Sequence, residues 1–198
     1  MARLSERDAR AWQALAMRIA DTIESRLSPR VLANRGPVPV APIGPSLRRA
    51  RTLARELAAR SEVALRTDVR SFYPSVTPSV AYRSLVGLNV EPSVASRSAS
   101  MLEGWGSEGY AGLPIGPPGS AIIANAILAP VDADLRSSPF LRWVDDYLIA
   151  ARGEQEAWLI LERIDESLAR VGLERSAPKT EILGRGSSVC WPGTYGPR

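Results

Sequence analysis

The chain contains no histidine and a single cysteine, Cys190. The first absence excludes imidazole acid–base catalysis, Ser-His-Asp triads and His-ligated zinc or iron. The second excludes an internal disulfide and any thiolate cluster. Lysine is almost as scarce: Lys179 stands alone among 25 basic residues, the rest being arginine. No apolar run approaches the roughly 18 residues of a membrane span. The charged N-terminus lacks the apolar stretch of a signal peptide. The expected address is therefore the cytoplasm, with no membrane partner. Any metal chemistry must use oxygen ligands, which points to Mg²⁺, with Mn²⁺ as a substitute.

What is present suffices for one domain or one domain with a small appendage: 198 residues, 45% of them hydrophobic. A net charge of +4 and a sequence pI near 9.7 suit a polyanionic partner. Leu4, Trp12, Leu15, Ile19, Ile23 and Leu27 recur at helical spacing and predict a helix over 4–27. Residues 34–46, rich in Gly and Pro, read as a loop ending in Ser46 as N-cap. A helix follows over 47–60, with Leu47, Ala50, Ala54 and Leu57 on one face and Arg48, Arg51 and Arg55 on another. Residues 62–68 read as a buried strand. Thr77-Pro78 opens a helix to about Leu85, and a further helix covers 92–103 and stops at Gly104. After a Gly/Pro-rich loop over 106–119, Ser120 caps an apolar helix from Ala121 to Leu128. Strands 140–144 and 147–151 flank an Asp-Asp turn as a hairpin. Residues 154–171 form an amphipathic helix capped by Gly172, 180–184 a closing strand, and the tail from Gly184 is loose. The order fits an α+β fold, an antiparallel sheet backed by helices on one face.

Asp68 ends the first apolar run, and Asp145-Asp146 sit between two others in Arg142-Trp-Val-Asp-Asp-Tyr-Leu-Ile149. Alone, the acidic pair reads as a polar turn. With Asp68 at a neighbouring strand end, the three carboxylates have the makings of a two-metal site. Such a site holds ions about 3.5–4 Å apart and stabilises both the attacking and the leaving oxygen in phosphoryl transfer. Asp68 and Asp145 would bridge the metals, with Asp146 as a supporting ligand. The arginines of 47–60 read first as a solvated face. Yet residues 35–60 hold six arginines against Glu56, a local balance of +5, so Arg48, Arg49, Arg51 and Arg55 are candidates for phosphate contact. Trp12, Trp105 and Trp158 read as packing residues.

Over residues 60–184 the chain resembles bacterial reverse transcriptases of the retron, group II intron and abortive-infection kind. Asp68-Val-Arg-Ser-Phe72-Tyr73 is similar to the first palm motif of that family, and Gly112-Leu-Pro114-Ile115-Gly116-Pro-Pro-Gly-Ser120 with Ala124-Asn125 to the second. Trp143-Val-Asp-Asp146 resembles the aromatic-x-Asp-Asp box, and Gly172-Leu-Glu174 through Lys179-Thr180 the motif after it. The resemblance implies a polymerase palm with partial helical fingers (1–60 fingers-like, 61–184 palm, 185–198 a flexible tail) and no thumb. It implies metal binding by Asp68, Asp145, Asp146 and the Val69 carbonyl, and nucleotide contacts from Phe72, Tyr73, Pro114, Ile115, Gly116 and Ser120. Tyr73 would exclude the ribose 2′-hydroxyl, and Lys179 would help protonate the leaving pyrophosphate. Ile115 stands where retroviral and intron enzymes carry glutamine, and Trp143 where tyrosine or phenylalanine is usual.

The implied activity is RNA-directed DNA synthesis from an RNA template, a DNA or RNA primer and deoxynucleoside triphosphates, with antiphage defence as a biological role. A partner RNA, a partner protein or self-association would replace the thumb. Two alternatives stay open: template-independent or protein-primed DNA synthesis, and a non-catalytic nucleic-acid-binding scaffold.

Overall fold

Four strands, β1 (Val63–Asp68), β2 (Phe140–Trp143), β3 (Asp146–Ala151) and β4 (Glu181–Gly184), make an antiparallel sheet in the order β2-β3-β1-β4. They belong to a computed structural model that describes residues 4–36 and 43–192. Seven α-helices among the described residues surround the sheet: α1 (Glu6–Glu24), α2 (Ile43–Ala59), α3 (Phe72–Ser75), α4 (Pro78–Gly87), α5 (Pro92–Ser107), α6 (Pro118–Asp134) and α7 (Glu154–Arg170). A 3-10 turn (Ala177–Lys179) leads into β4.

Because successive strand residues point to opposite faces, the sheet divides its side chains between two cores. Leu65, Phe140, Tyr147 and Ile149 join the main core with α1, α4, α5, α6 and α7. Ala64, Leu141, Trp143 and Leu148 face the other way, onto Ala50 and Ala54 of α2. The expectation of helices on one face holds for the main core, and α2 adds a partial second layer. α1 packs along α6.

The amphipathic elements match their sequence pattern. α1 is capped by Ser5, whose hydroxyl accepts from the Asp8 amide, and buries Trp12, Leu15, Ile19 and Ile23. Thr77 caps α4, and Gly172 takes up φ +74 just after α7. Several boundaries differ from expectation, and the hairpin turn is Val144–Asp145 rather than the Asp-Asp pair, since Asp146 opens β3. α2 starts at Ile43, so Ser46 lies inside it rather than capping it; Pro45 fits the first turn, where its missing N–H costs nothing. Residues 37–42 of that connection lie outside the described residues. α5 continues past Gly104 to Ser107 because Trp105 anchors its last turn, edge-on to Trp12 at 5.2 Å between ring centroids. α6 begins at Pro118 and runs through Pro130 to Asp134. It is buried on nearly every side, so no amphipathic stripe marks its ends. Within the tail, residues 185–188 are exposed, while Trp191 is 1% exposed and packs into the smaller core. Residues 193–198 lie outside the described set.

Candidate active site

The last residue of β1 and the first of β3 are register partners: Asp68 faces Asp146 across the ladder. Directly opposed side chains on one sheet face stand about 4.5–5.5 Å apart at Cβ, and like charges there repel. Both residues are buried, at 8% and 2% exposure. The surrounding groups supply positive charge. Lys179 Nζ lies 2.9 Å from Asp68 Oδ1, and Arg66 Nη2 lies 3.6 Å from Asp146 Oδ2 while reaching toward Glu181. Lys179 is placed by its 3-10 turn, itself fixed by the Ser176 amide donating to the Asp68 carbonyl at 2.7 Å. A Thr67–Thr180 hydroxyl contact of 2.8 Å holds the far side of that turn.

Asp145 sits in the two-residue turn between β2 and β3, half-buried. Its carbonyl accepts from the Val69 amide at 3.3 Å, so the turn is tied to the chain just beyond Asp68. Val69 is itself buried and bridges to Arg175. The other turn residue, Val144, has φ +58. A β-branched residue there costs on the order of 1–2 kcal/mol and persists only where neighbours fix it. Oxygen donors of this kind suit Mg²⁺ or Mn²⁺, and the ammonium seated on Asp68 marks a point where the site already stabilises positive charge. Donor chemistry at Asp68 and Asp146 therefore fits a divalent cation. Among the described residues, no group of three or more acidic, Cys or His side chains is arranged to hold a metal.

Tyr73 lies in α3, half-buried beside this cluster. Burial, and then the nearby Asp145 charge, push its phenol up to about 12, against the pull of Arg142. It is a neutral ring at any working pH and cannot act as a base. The following Gly/Pro loop is docked on α3: the Leu113 amide donates to the Tyr73 carbonyl at 2.8 Å. Gly112, at φ +68, comes so close that a Cβ would meet the Tyr73 carbonyl oxygen at 2.0 Å. Beyond the loop lies a cleft of about 930 Å³ lined by Leu4, Pro74, Trp105, Tyr110, Ile115 and Gly116.

Asp68, Asp146 and Lys179 thus meet, with Asp145 and Tyr73 adjoining. Pro114 is half-buried, and Ile115 (60% exposed) and Gly116 face solvent on the loop. Two residues expected to contact the nucleotide are buried. Phe72 is 2% exposed and packs in the main core, edge-on to Tyr73. Ser120 is buried where α6 meets α1, its hydroxyl accepting from the Trp12 indole at 2.9 Å. Arg48, Arg49, Arg51 and Arg55 are exposed on α2, and none is in an ion pair among the described residues.

Sequence reasoning missed a buried network behind the turn. Arg142 of β2, at 0% exposure, pairs with Asp132 of α6, Nη2 to Oδ2 at 2.7 Å. Burial pushes the Asp132 carboxyl above its usual range while Arg142 pulls it back. The available signal was an arginine inside an apolar strand and an aspartate inside an apolar helix, since buried charges occur paired.

The model of the reverse transcriptase (RNA-dependent DNA polymerase) family matches residues 13–194. Among solved structures, the apo telomerase from Candida tropicalis matches over 89% of this chain with a TM-score of 0.55 at 11% identity, which speaks to the fold alone. The chain spans 36% of that telomerase chain. No curated protein matches it. With a family match across nearly its whole length, and a sheet that sets Asp68 against Asp146 beside the turn that carries Asp145, the chain belongs to the reverse transcriptase (RNA-dependent DNA polymerase) family.

Proposed function

We propose that the chain adds deoxynucleotides to a primer 3′-hydroxyl on an RNA template, with the reaction centred on Asp68, Asp145 and Asp146. The observation that carries this reading is the Asp68–Asp146 register pair with Asp145 at the adjoining turn. Divalent cations held there by the three aspartates and the Val69 carbonyl would activate the hydroxyl and neutralise the triphosphate. The protein's own groups do the rest. Tyr73, neutral and packed on Phe72, sets the wall against a ribose 2′-hydroxyl. Lys179 leaves Asp68 to its ligand role and gives its proton to the departing pyrophosphate. The arginines of α2 take template or primer phosphates, a sequence-independent contact. A role in antiphage defence is supported by the likeness of the 113–117 segment to abortive-infection enzymes. No described helix is long and apolar enough to cross a membrane.

Incorporation of labelled deoxynucleotides on a primed RNA template, in Mg²⁺ and in Mn²⁺, tests the proposal. No metal-dependent incorporation under any of these conditions would refute it. A second reading, synthesis without a template, is favoured by Ile115: an exposed apolar side chain at the loop tip offers no hydrogen bond to a base. Product formed without added template or primer supports that branch, and strict template dependence removes it.

The gate is tested by Tyr73→Ala, expected to shrink the kcat/KM preference for deoxy- over ribonucleotides on the order of 10- to 200-fold, the scale of a steric pocket contact. Tyr73→Phe should keep the preference. If the phenylalanine variant loses it too, the hydroxyl rather than the ring discriminates.

Lys179→Met removes one positive charge from Asp68. Lys179 is about half exposed, so the loss without metal should be modest, about 1 kcal/mol or a melting temperature about 2–4 °C lower. Added Mn²⁺ should then raise the melting temperature more in the variant than in the wild type, because no ammonium competes for the carboxylate. Equal metal shifts in the two proteins would show that Lys179 and the cation do not share Asp68.

A further inference from the structure

Arg142 uses its donors on three groups. Nε meets both oxygens of Asp132 at 2.8 and 3.2 Å, and Nη2 meets Oδ2 at 2.7 Å. Nη1 divides between Asn125 Oδ1 at 3.0 Å and the Val144 carbonyl at 2.8 Å. Asp132 also accepts from the Tyr147 hydroxyl at 3.0 Å. Asn125, in turn, donates to the Asn34 carbonyl at 3.1 Å. The guanidinium therefore joins α6, β3 and the hairpin turn at one buried point.

A buried ion pair is weak evidence for stability, because apolar replacements of matched volume are often as stable or more so. What this pair supplies is direction. The contact to the Val144 carbonyl acts on the residue whose left-handed backbone needs holding, one position before Asp145. From the other side, the turn's visible backbone tie is the Val69 amide on the Asp145 carbonyl.

We infer that Arg142, clamped by Asp132, Asn125 and Tyr147, is a positioning residue that fixes the Val144–Asp145 turn and so sets where the Asp145 carboxylate stands. The catalytic consequence rests on the polymerase reading; the structural one does not, and the experiment separates them. The double variant Arg142→Met with Asp132→Leu removes both charges together. It should melt near the wild type. Hydrogen exchange at the Val69 amide should quicken by about tenfold or more, with Leu65 and Ile149 in β1 and β3 unchanged. Its kcat for incorporation should fall on the order of 100-fold, with KM for the nucleotide little altered, as for a misplaced catalytic group.

Native protection of Val69 in the double variant would overturn the inference, whatever the activity. If the wild type incorporates no nucleotide while Val69 is still deprotected in the variant, the polymerase reading fails and the positioning stands. Should the double variant not fold, Arg142→Lys takes its place. A single ammonium can keep Asp132 but cannot also span to the Val144 carbonyl, so Val69 should again lose protection. Wild-type protection in the lysine variant sinks the inference.

Discussion

Asp145→Asn should lower nucleotide incorporation on the order of 1000-fold or more while leaving the protein folded. The substitution keeps the shape of the side chain and removes its charge. Stabilising a phosphoryl-transfer transition state with metal-borne charge contributes several kcal/mol, and each 1.36 kcal/mol is tenfold in rate. Stability should stay level or rise slightly, because one fewer carboxylate adjoins the Asp68–Asp146 pair. The variant carries its own internal control. Asp145 is the second cause holding the Tyr73 phenol at about 12, so its removal should lower that phenol's titration, read by ultraviolet difference absorbance, while burial still keeps it above the ordinary tyrosine value. A shifted phenol with full activity would show that Asp145 stands beside Tyr73 and does no chemistry. Asp68→Asn should be as damaging to rate, since the Asp68 carboxylate faces Asp146 and holds the Lys179 ammonium.

The largest expected effect on stability is that of Gly112→Ala. Two costs add. The residue sits at φ +68, where a Cβ is strained by about 1–2 kcal/mol. The new atom would also meet the Tyr73 carbonyl oxygen at 2.0 Å and Pro74 backbone atoms at 2.7 Å. These are backbone atoms that cannot swing aside, so overpacking of about 1–3 kcal/mol is expected on top. Together that is about 2–5 kcal/mol, out of the roughly 5–15 that hold a domain, and a melting temperature lower by about 5–15 °C. Gly109→Ala is the control. Gly109 also has positive φ, at +87, but a Cβ there meets nothing within 4 Å. It should cost only the strain, about 1 kcal/mol. If the two variants melt alike, the close approach of the loop to α3 is not made in solution.

Much of the architecture was legible because its elements are half-buried. α1 and α7 show one apolar stripe each, and β1 and the hairpin show short apolar runs ended by aspartates, so both the strands and the place of the carboxylates could be read. α6 could not be delimited: a helix buried on nearly every side shows no stripe to mark its ends, and Pro118, placed in the preceding loop, fits N1 of the helix. The burial of Phe72 and Ser120 was not legible, because motif membership says where a residue lies along the chain but not which way it points. The Arg142 network was hidden for a different reason. Its partners come from two elements, Asn125 and Asp132 from α6 and Tyr147 from β3, and only the folded sheet and helix bring their side chains to Arg142 of β2. Gly112 was quoted within a motif, but the need for glycine there arises from the Tyr73 carbonyl, nearly forty positions earlier.

The packing of α1 on α6 has a consequence for synthesis on the ribosome. Trp12 donates to Ser120 across 108 positions of chain, and Gly119 lies so near Ala16 that a Cβ there would approach it to 2.9 Å. On the ribosome α1 therefore lacks its main packing partner until α6 has followed it out of the exit tunnel. Through that interval the nascent chain carries an uncovered apolar face bearing Trp12, Leu15, Ile19 and Ile23, the kind of surface that chaperones hold.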